Sequence, residues 1–458
     1  MAHPTAVINV VGLSRSLMGR LPSVARFADH GASRVMTPVL PAVTCSAQST
    51  MLTGVAPSEH GIVGNGWYDR EACEVKFWKQ SNRLVKCEKV WESARRRDES
   101  VTCLNMFWWY NMYSSADYSV TPRPMYKADG RKVPDCYSEP PELRDELQRE
   151  LGRFPLFRFW GPGASIESTS WIASATMRVW DQKRPTLSLV YLPHLDYSLQ
   201  KLGPEHPDIA RECAAIDSEV ARLLVFFKER HVRVIIVSEY GISPVSRPVE
   251  INRVLRREGL IQVREEDGLE LLDAGASDAF AVCDHQLAHV YVREPDTVRR
   301  VADACRQVSG VERVLTGSER AEVGLDHERS GDIVLVSEHD AWFAYPYWLD
   351  DARAPDFART VDIHRKPGYD PCELFIDPRF RFPKLAVASR LLRKKLGFRT
   401  LMDVIPLDAS LVRGSHGRAD VPDELKPVLL TERDYDGRPS EVAMASVRDV
   451  ILEHLFED

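Results

Sequence analysis

The sequence predicts an α/β fold, a doubly wound and mostly parallel sheet with helices on both faces. Three observations predict it. Ala6 to Val11 is an apolar run that ends at Gly12, as expected of a strand buried on both faces and emptying into a loop. Runs of the same kind recur at 186–192 and 232–238. Helical stretches at 166–183 and 209–229 separate them, and strands alternating with helices mark a sheet covered on both sides.

Between and beyond these runs, Leu17 to His30 reads as a helix closed by Gly31, with Pro22 marking its first true turn. Ser46 to Leu52 reads as a second helix, with Thr44 and Cys45 just before its start. A helix N-terminus offers unpaired N–H groups and a positive partial charge, which suits an attacking oxygen and the phosphate it attacks. Two chemistries open there, a hydroxyl at Thr44 and a thiolate at Cys45, beside the plainer reading of a threonine cap. Residues 67–165 are rich in aromatic rings and proline, notably at 107–113 and 154–161. Such rings serve first as core filling; the alternative is a cleft wall beside Asn65.

From 244 to 355 the pattern is mixed: a helix at 247–258, an apolar stretch at 281–292, a helix reaching 308 and a strand at 332–337. Asp284, His285 and His289 within it read as satisfied polar residues. A helix near 440–456 closes the chain. In open α/β sheets ligands gather beyond the carboxyl ends of the strands, where Asn9, Thr44, His194, Asp196 and Glu239 fall. On an extended strand end His194 and Asp196, two apart, point to the same side.

Composition narrows the partners. With 458 residues and 44% hydrophobic content the chain can bury a large core. The net charge of −7, with Lys and Arg dispersed, argues against a nucleic-acid polymer as partner. Nine cysteines with no CxxC pair read as reduced thiols. No apolar run approaches membrane-spanning length, so the expectation is a soluble, cytoplasmic protein with no membrane partner.

One segment carries a resemblance. Thr44, then Thr53-Gly54, then His60-Gly61-Ile62-Val63-Gly64-Asn65, with Asn65 following Thr44 by 21 residues, resembles the active-site segment of type I phosphodiesterases and nucleotide pyrophosphatases, in the alkaline phosphatase superfamily. The resemblance implies an alkaline phosphatase-like core over 1–243 and 356–430, with 67–165 an aromatic-rich insertion. It implies a cap over 244–355 and leaves a C-terminal helix over 431–458. Thr44 becomes the nucleophile and Asn65 a donor to a phosphate oxygen. The substrate becomes a small phosphorylated or phosphonate compound.

The family also implies two divalent metals held by Asp and His at strand ends, and here the chain departs from its relatives. Val11 stands beside Gly12 where an Asp is expected, and Asn9 is the nearest polar side chain. Asp196 is kept, but Gln200 replaces a His; Glu239-Tyr240 replaces Asp-His; Gly414-Ser415-His416-Gly417 is intact and is similar to that of phosphonoacetate hydrolases. Asp362-Ile363-His364 offers a substitute. The implied ligands are Asp196, Glu239, His416, His364 and Asn9. The implied ion is zinc first, with manganese or magnesium as alternatives in an oxygen-rich site. The expected function is a metal-dependent phosphoric ester or phosphodiester hydrolase. The alternative is a phosphate- or nucleotide-binding protein that has lost one or both metals.

Overall fold

The computed structural model describes residues 2–433 and 439–457. Nine strands form the main sheet: β1 (Thr5–Val10), β2 (Ala32–Thr37), β3 (Cys103–Met106), β4 (Tyr118–Pro122), β5 (Cys136–Glu139), β6 (Leu187–Leu192), β7 (Arg233–Val237), and, late in the chain, β12 (Val428–Thr431) and β13 (Glu441–Ala443). Their order is β13-β2-β12-β7-β1-β6-β3-β4-β5. The central run from β7 to β4 is parallel, while β12 lies antiparallel between β7 and β2. Every residue of β1, β6 and β7 is buried, which is why these strands read as continuous apolar runs rather than alternating ones.

Among the helices that flank the sheet or border the cleft are α1 (Pro22–His30), α2 (Thr44–Thr53), α3 (Ile166–Lys183), α4 (His194–Leu202), α5 (Ile209–Lys228), α6 (Pro383–Lys395) and α7 (Val447–Phe456). The α/β class, the parallel centre and the flanking helices all stand as the sequence predicts. Three strands of the main sheet (β3, β4 and β5) come from the aromatic-rich stretch 67–165. There Phe107 packs on Phe154 at 4.9 Å inside the core, so that pair is filling.

A second, four-stranded sheet stands apart, in the order β8 (Ala279–Asp284), β9 (Leu287–Val292), β11 (Ile333–Ser337) and β10 (Val311–Thr316). It is antiparallel throughout and centres its own hydrophobic cluster with Phe280, Tyr291 and Leu335. The apolar stretch at 281–292 is therefore a hairpin, broken at His285 and Gln286. The stretch at 247–258 divides into a short strand, Arg247–Val249, and a helix, Ile251–Arg257. The closing helix is shorter than the sequence suggests because 441–443 pair as β13. Residues 434–438 of the expected C-terminal segment lie outside the described residues.

Candidate active site

The cleft floor is assembled at the carboxyl edge of the sheet. Register places Asn9 of β1 beside Tyr191 of β6 and Val237 of β7. Glu239, two residues past Val237, therefore arrives next to Asn9, whose Nδ2 donates to Glu239 Oε1 at 2.6 Å. Gln48 Nε2 donates to the same oxygen at 2.6 Å, while Gln48 Oε1 accepts from the Trp109 N–H. Val11, where the family carries an Asp, is fully buried and apolar.

Helix α2 begins at Thr44 itself, two residues earlier than the sequence suggests, so Thr44 lies on its first turn. All ten of its residues are buried although six carry a polar amide or hydroxyl, and Gly54 ends it in a left-handed turn at φ +74°. Thr44 Oγ1 lies 3.0 Å from the Tyr240 hydroxyl, which donates to Asp196 Oδ1 at 3.2 Å. Gln200 Nε2 donates to Asp196 Oδ2 at 2.8 Å, and Tyr369 donates to Gln200 Oε1 at 2.9 Å. A continuous hydrogen-bonded chain thus runs Thr44–Tyr240–Asp196–Gln200–Tyr369.

His416 completes this side. Its Nδ1 is bonded to the Ala42 carbonyl at 2.7 Å, and its Nε2, 3.7 Å from Asp196 Oδ1, has no hydrogen-bond partner. The ring is sandwiched between Tyr240 at 3.5 Å and His285 at 3.6 Å. Burial holds His416 down to about 3 and His285 well below the usual imidazole range, so both are neutral at neutral pH. Burial likewise lifts Asp196 to about 7 against the opposing bonds from Gln200 and Tyr240. It lifts Glu239 to about 8 against those from Gln48 and Asn9.

Asn65 Oδ1 accepts the Cys45 N–H at 3.1 Å, and Asp284 accepts from both the Asn65 N–H and Nδ2, at 2.7 and 2.9 Å. Asn65 is thereby locked across the start of α2. Burial, with Asp284 adding to it, pushes the Cys45 thiol well up, which disfavours a thiolate there.

Several expectations change here. His194 and Asp196 lie on α4 rather than on an extended strand end, so two positions separate their directions. His194 turns away to Glu212 at 2.8 Å, and Asp196 alone faces the site. His364 bonds to the Phe77 carbonyl and packs near Tyr126 on the cleft wall, and among the described residues it joins no three-residue ligand cluster with Asp196, Glu239 or His416. In the other direction, His285, Asp284, Gln48 and Tyr369 join the site unannounced by any motif. His285, read as a satisfied cap residue, sits at the hairpin turn between β8 and β9 and meets Tyr369 at 3.8 Å.

The floor opens into a cavity of about 820 Å³. Thr44, Asp196, Tyr240 and His285 are exposed to it, and Trp78, Trp109 and Trp160 wall it. The aromatic stretch therefore supplies both core filling and cleft wall. Arg123, Lys132, Arg158 and Lys394 bring positive charge to the lining.

The donor set can be tested against the two ions of the family. On the Asp196 side a buried imidazole Nε2 without a partner faces a carboxylate, and these fit one divalent ion. On the Glu239 side, Val11 offers nothing and Tyr240 stands for an imidazole; two amides hold Glu239 Oε1, while Glu239 Oε2 and Asn9 Oδ1 are buried without a hydrogen-bond partner among the described residues. That side offers oxygen donors and no imidazole, which suits zinc less well than the Asp196 side. Among the described residues one group of three ligand-type side chains has its atoms within 4.8 Å, Glu312, His339 and Asp420 on the surface. There Arg418 already pairs with both carboxylates.

A threonine on a helix N-terminus at the carboxyl edge of a parallel sheet, ringed by Asp, Glu and His, is the architecture of the alkaline phosphatase superfamily. Within it the chain belongs to the type I phosphodiesterase / nucleotide pyrophosphatase family, whose pattern matches residues 5–370. It is 25% identical over 225 residues to an uncharacterized pyrophosphatase/phosphodiesterase of Schizosaccharomyces pombe, covering 46% of this chain and 38% of the relative. It is 21% identical over 270 residues to an ectonucleotide pyrophosphatase/phosphodiesterase of Caenorhabditis elegans, covering 56% and 31%. The chain thus spans well under half the length of these curated relatives. In fold it is similar to the phosphonoacetate hydrolase of Sinorhizobium meliloti 1021 in complex with phosphonoacetate, with a TM-score of 0.63 at 15% identity, covering 99% of this chain and 95% of that one. It is also similar to an inactive form of murine ectonucleotide pyrophosphatase/phosphodiesterase 5 in complex with AMP, with a TM-score of 0.58 at 13% identity, covering 99% and 94%.

Proposed function

We propose that the chain hydrolyses a small phosphate ester or phosphodiester, or a phosphonate, with Thr44 as nucleophile. One observation carries this reading: the Thr44 hydroxyl lies on the first turn of a buried helix, faces the cavity, and is bonded at 3.0 Å to Tyr240. In the first half-reaction on an ester, Thr44 Oγ1 bonds to phosphorus as the bond from phosphorus to the leaving oxygen breaks. The threonine proton departs through the Tyr240 hydroxyl toward Asp196. In the second half-reaction water displaces Thr44 from phosphorus and the proton returns to Oγ1. The second N–H of the Asn65 amide is free to donate to a phosphate oxygen, since Asp284 takes one.

The residues that would hold a divalent ion are Asp196 and His416, with zinc suited to their mixed carboxylate–imidazole chemistry. An ion bound there would supply positive charge against the phosphate. The same reading takes 1–243 and 356–430 as the catalytic core and 244–355 as a cap, supported by the separate four-stranded sheet and by His285 reaching down to the cleft. Nine free thiols support a reducing, cytoplasmic setting. AMP in a structural relative and the cations of the lining support a small phosphorylated ligand.

A second reading has its own observation. Tyr240 bridges Thr44 and Asp196 while amides clasp Glu239, a tied-down network that suits a protein binding phosphate or a nucleotide without cleaving it. The two readings separate on one assay. With zinc or manganese supplied, activated aryl phosphate mono- and diesters are cleaved; Thr44→Ala removes nearly all of that activity, and Asn65→Ala lowers it by about 10²-fold. AMP binding without cleavage of any ester in a broad panel would establish the binding protein instead.

A further inference from the structure

We propose that α6 docks the protein onto an anionic lipid surface, with the cleft mouth beside the contact. No residue of α6 is buried, although it is rich in leucine. Phe382, Leu385, Leu392 and Leu396, at its start, along it and at its end, are 58–66% exposed. Their spacings of three, seven and four residues align them on one face of the helix. The opposite face, with Val387, Arg390 and Lys394, is the half-buried one. The usual order is inverted: the helix turns its apolar stripe to solvent and two cations toward the protein. Phe398 and Leu401 extend the exposed apolar surface past its end.

Charge identifies the occupant. From Arg379 to Met402 there are eight Arg and Lys and no Asp or Glu, in a chain whose net charge is −7. Arg379 pairs with Asp377 and Arg390 with Asp403. Lys384, Arg393, Lys395 and Arg399 form no ion pair among the described residues. On the helix, Arg393 flanks the apolar stripe on one side and Lys384 and Lys395 on the other. An apolar stripe between rows of long cationic side chains is the arrangement that sinks into the headgroup boundary of a bilayer while its charges reach anionic lipid. A second copy of the same surface would set like charges against each other. No helix among the described residues is long and apolar enough to cross a membrane. The contact is continuous with the cleft: Val387, Leu391 and Lys394 of α6 line the cavity, as does Phe157, itself 57% exposed.

The test reads binding rather than turnover, so it stands apart from the hydrolase reading. The full chain is sedimented with vesicles of phosphatidylcholine alone and of equimolar phosphatidylcholine and phosphatidylserine, at low and physiological salt. Expected is co-sedimentation with the anionic vesicles that weakens with salt. Leu385→Glu/Leu392→Glu/Leu396→Glu and, separately, Arg393→Glu/Lys395→Glu lower the partition coefficient by at least about tenfold. Both variants keep the wild-type Tm, since α6 buries no side chain. Wild-type protein that ignores both vesicle types, or binds them equally, overturns the proposal. So does unchanged binding by the leucine variant, or a dimer in ultracentrifugation that this variant converts to monomer.

Discussion

On one side of Thr44, Asp196 and His416 face each other across 3.7 Å, and the imidazole Nε2 has no partner. On the other side, Glu239 is clasped by the Asn9 and Gln48 amides, each at 2.6 Å, and Val11 is closed in beside it. Both sides stand at ends of buried parallel strands, and both carry a carboxylate. One sets its carboxylate against a free imidazole nitrogen; the other gives one carboxylate oxygen to amide hydrogens and leaves Oε2 without a partner among the described residues. A buried carboxylate must be paired or neutral, and hydrogen bonds from amides meet that need without a metal.

This contrast is open to experiment. A large effect is expected at Gln48, which ties Glu239 to the Trp109 backbone. Gln48→Leu leaves one carboxylate bond and the Trp109 N–H unpartnered, and unfolding curves should show a loss of about 3 kcal/mol. An unchanged midpoint would show that the amide clasp contributes nothing.

An effect of comparable size is expected from pH. Glu239 is raised from 4.5 to about 8 by burial, so its contribution to stability is complete below 4.5 and is lost as pH rises through 8. Glu239→Gln keeps an acceptor for both amides and cannot ionise. The stability difference should therefore move in favour of the variant between these pH values, by about 4 kcal/mol, in metal-free buffer. A difference independent of pH would contradict the buried, neutral carboxyl.

The smallest expected effect is a gain. Gln200→His/Tyr240→His restores family-type ligands around Asp196 and Glu239. Zinc affinity by calorimetry should rise by about tenfold, with stoichiometry moving from one toward two. No change in affinity or stoichiometry would mean that the amide clasp alone blocks the second ion.

The parts of this molecule that could be read in its sequence are those set by local pattern. The apolar runs of β1, β6 and β7, the helices between them, and the Thr44-to-Asn65 segment all carry their signal in a short window. What stayed hidden depends on distance along the chain. Asp284 reaches Asn65 across 219 residues, and nothing near either residue announces the pairing. His285 enters the site only because a hairpin turn aims it there. Asp196 and His194 were separable only once their backbone proved helical. The apolar period at 382–396 is visible, but periodicity does not tell which way a stripe faces, and here it faces out.

Whether Thr44 Oγ1 forms a bond to phosphorus decides between a nucleophile and a mere helix cap. Acid-quenched turnover of a bis-aryl phosphate with zinc supplied reads this directly, when joined to mass spectrometry of the peptide holding residues 44 and 45. A nucleophilic Thr44 gives an aryl-phosphoryl adduct that forms and decays with turnover and is absent in Thr44→Ala. Steady product release with no adduct on Thr44, or an adduct on Cys45, would contradict it.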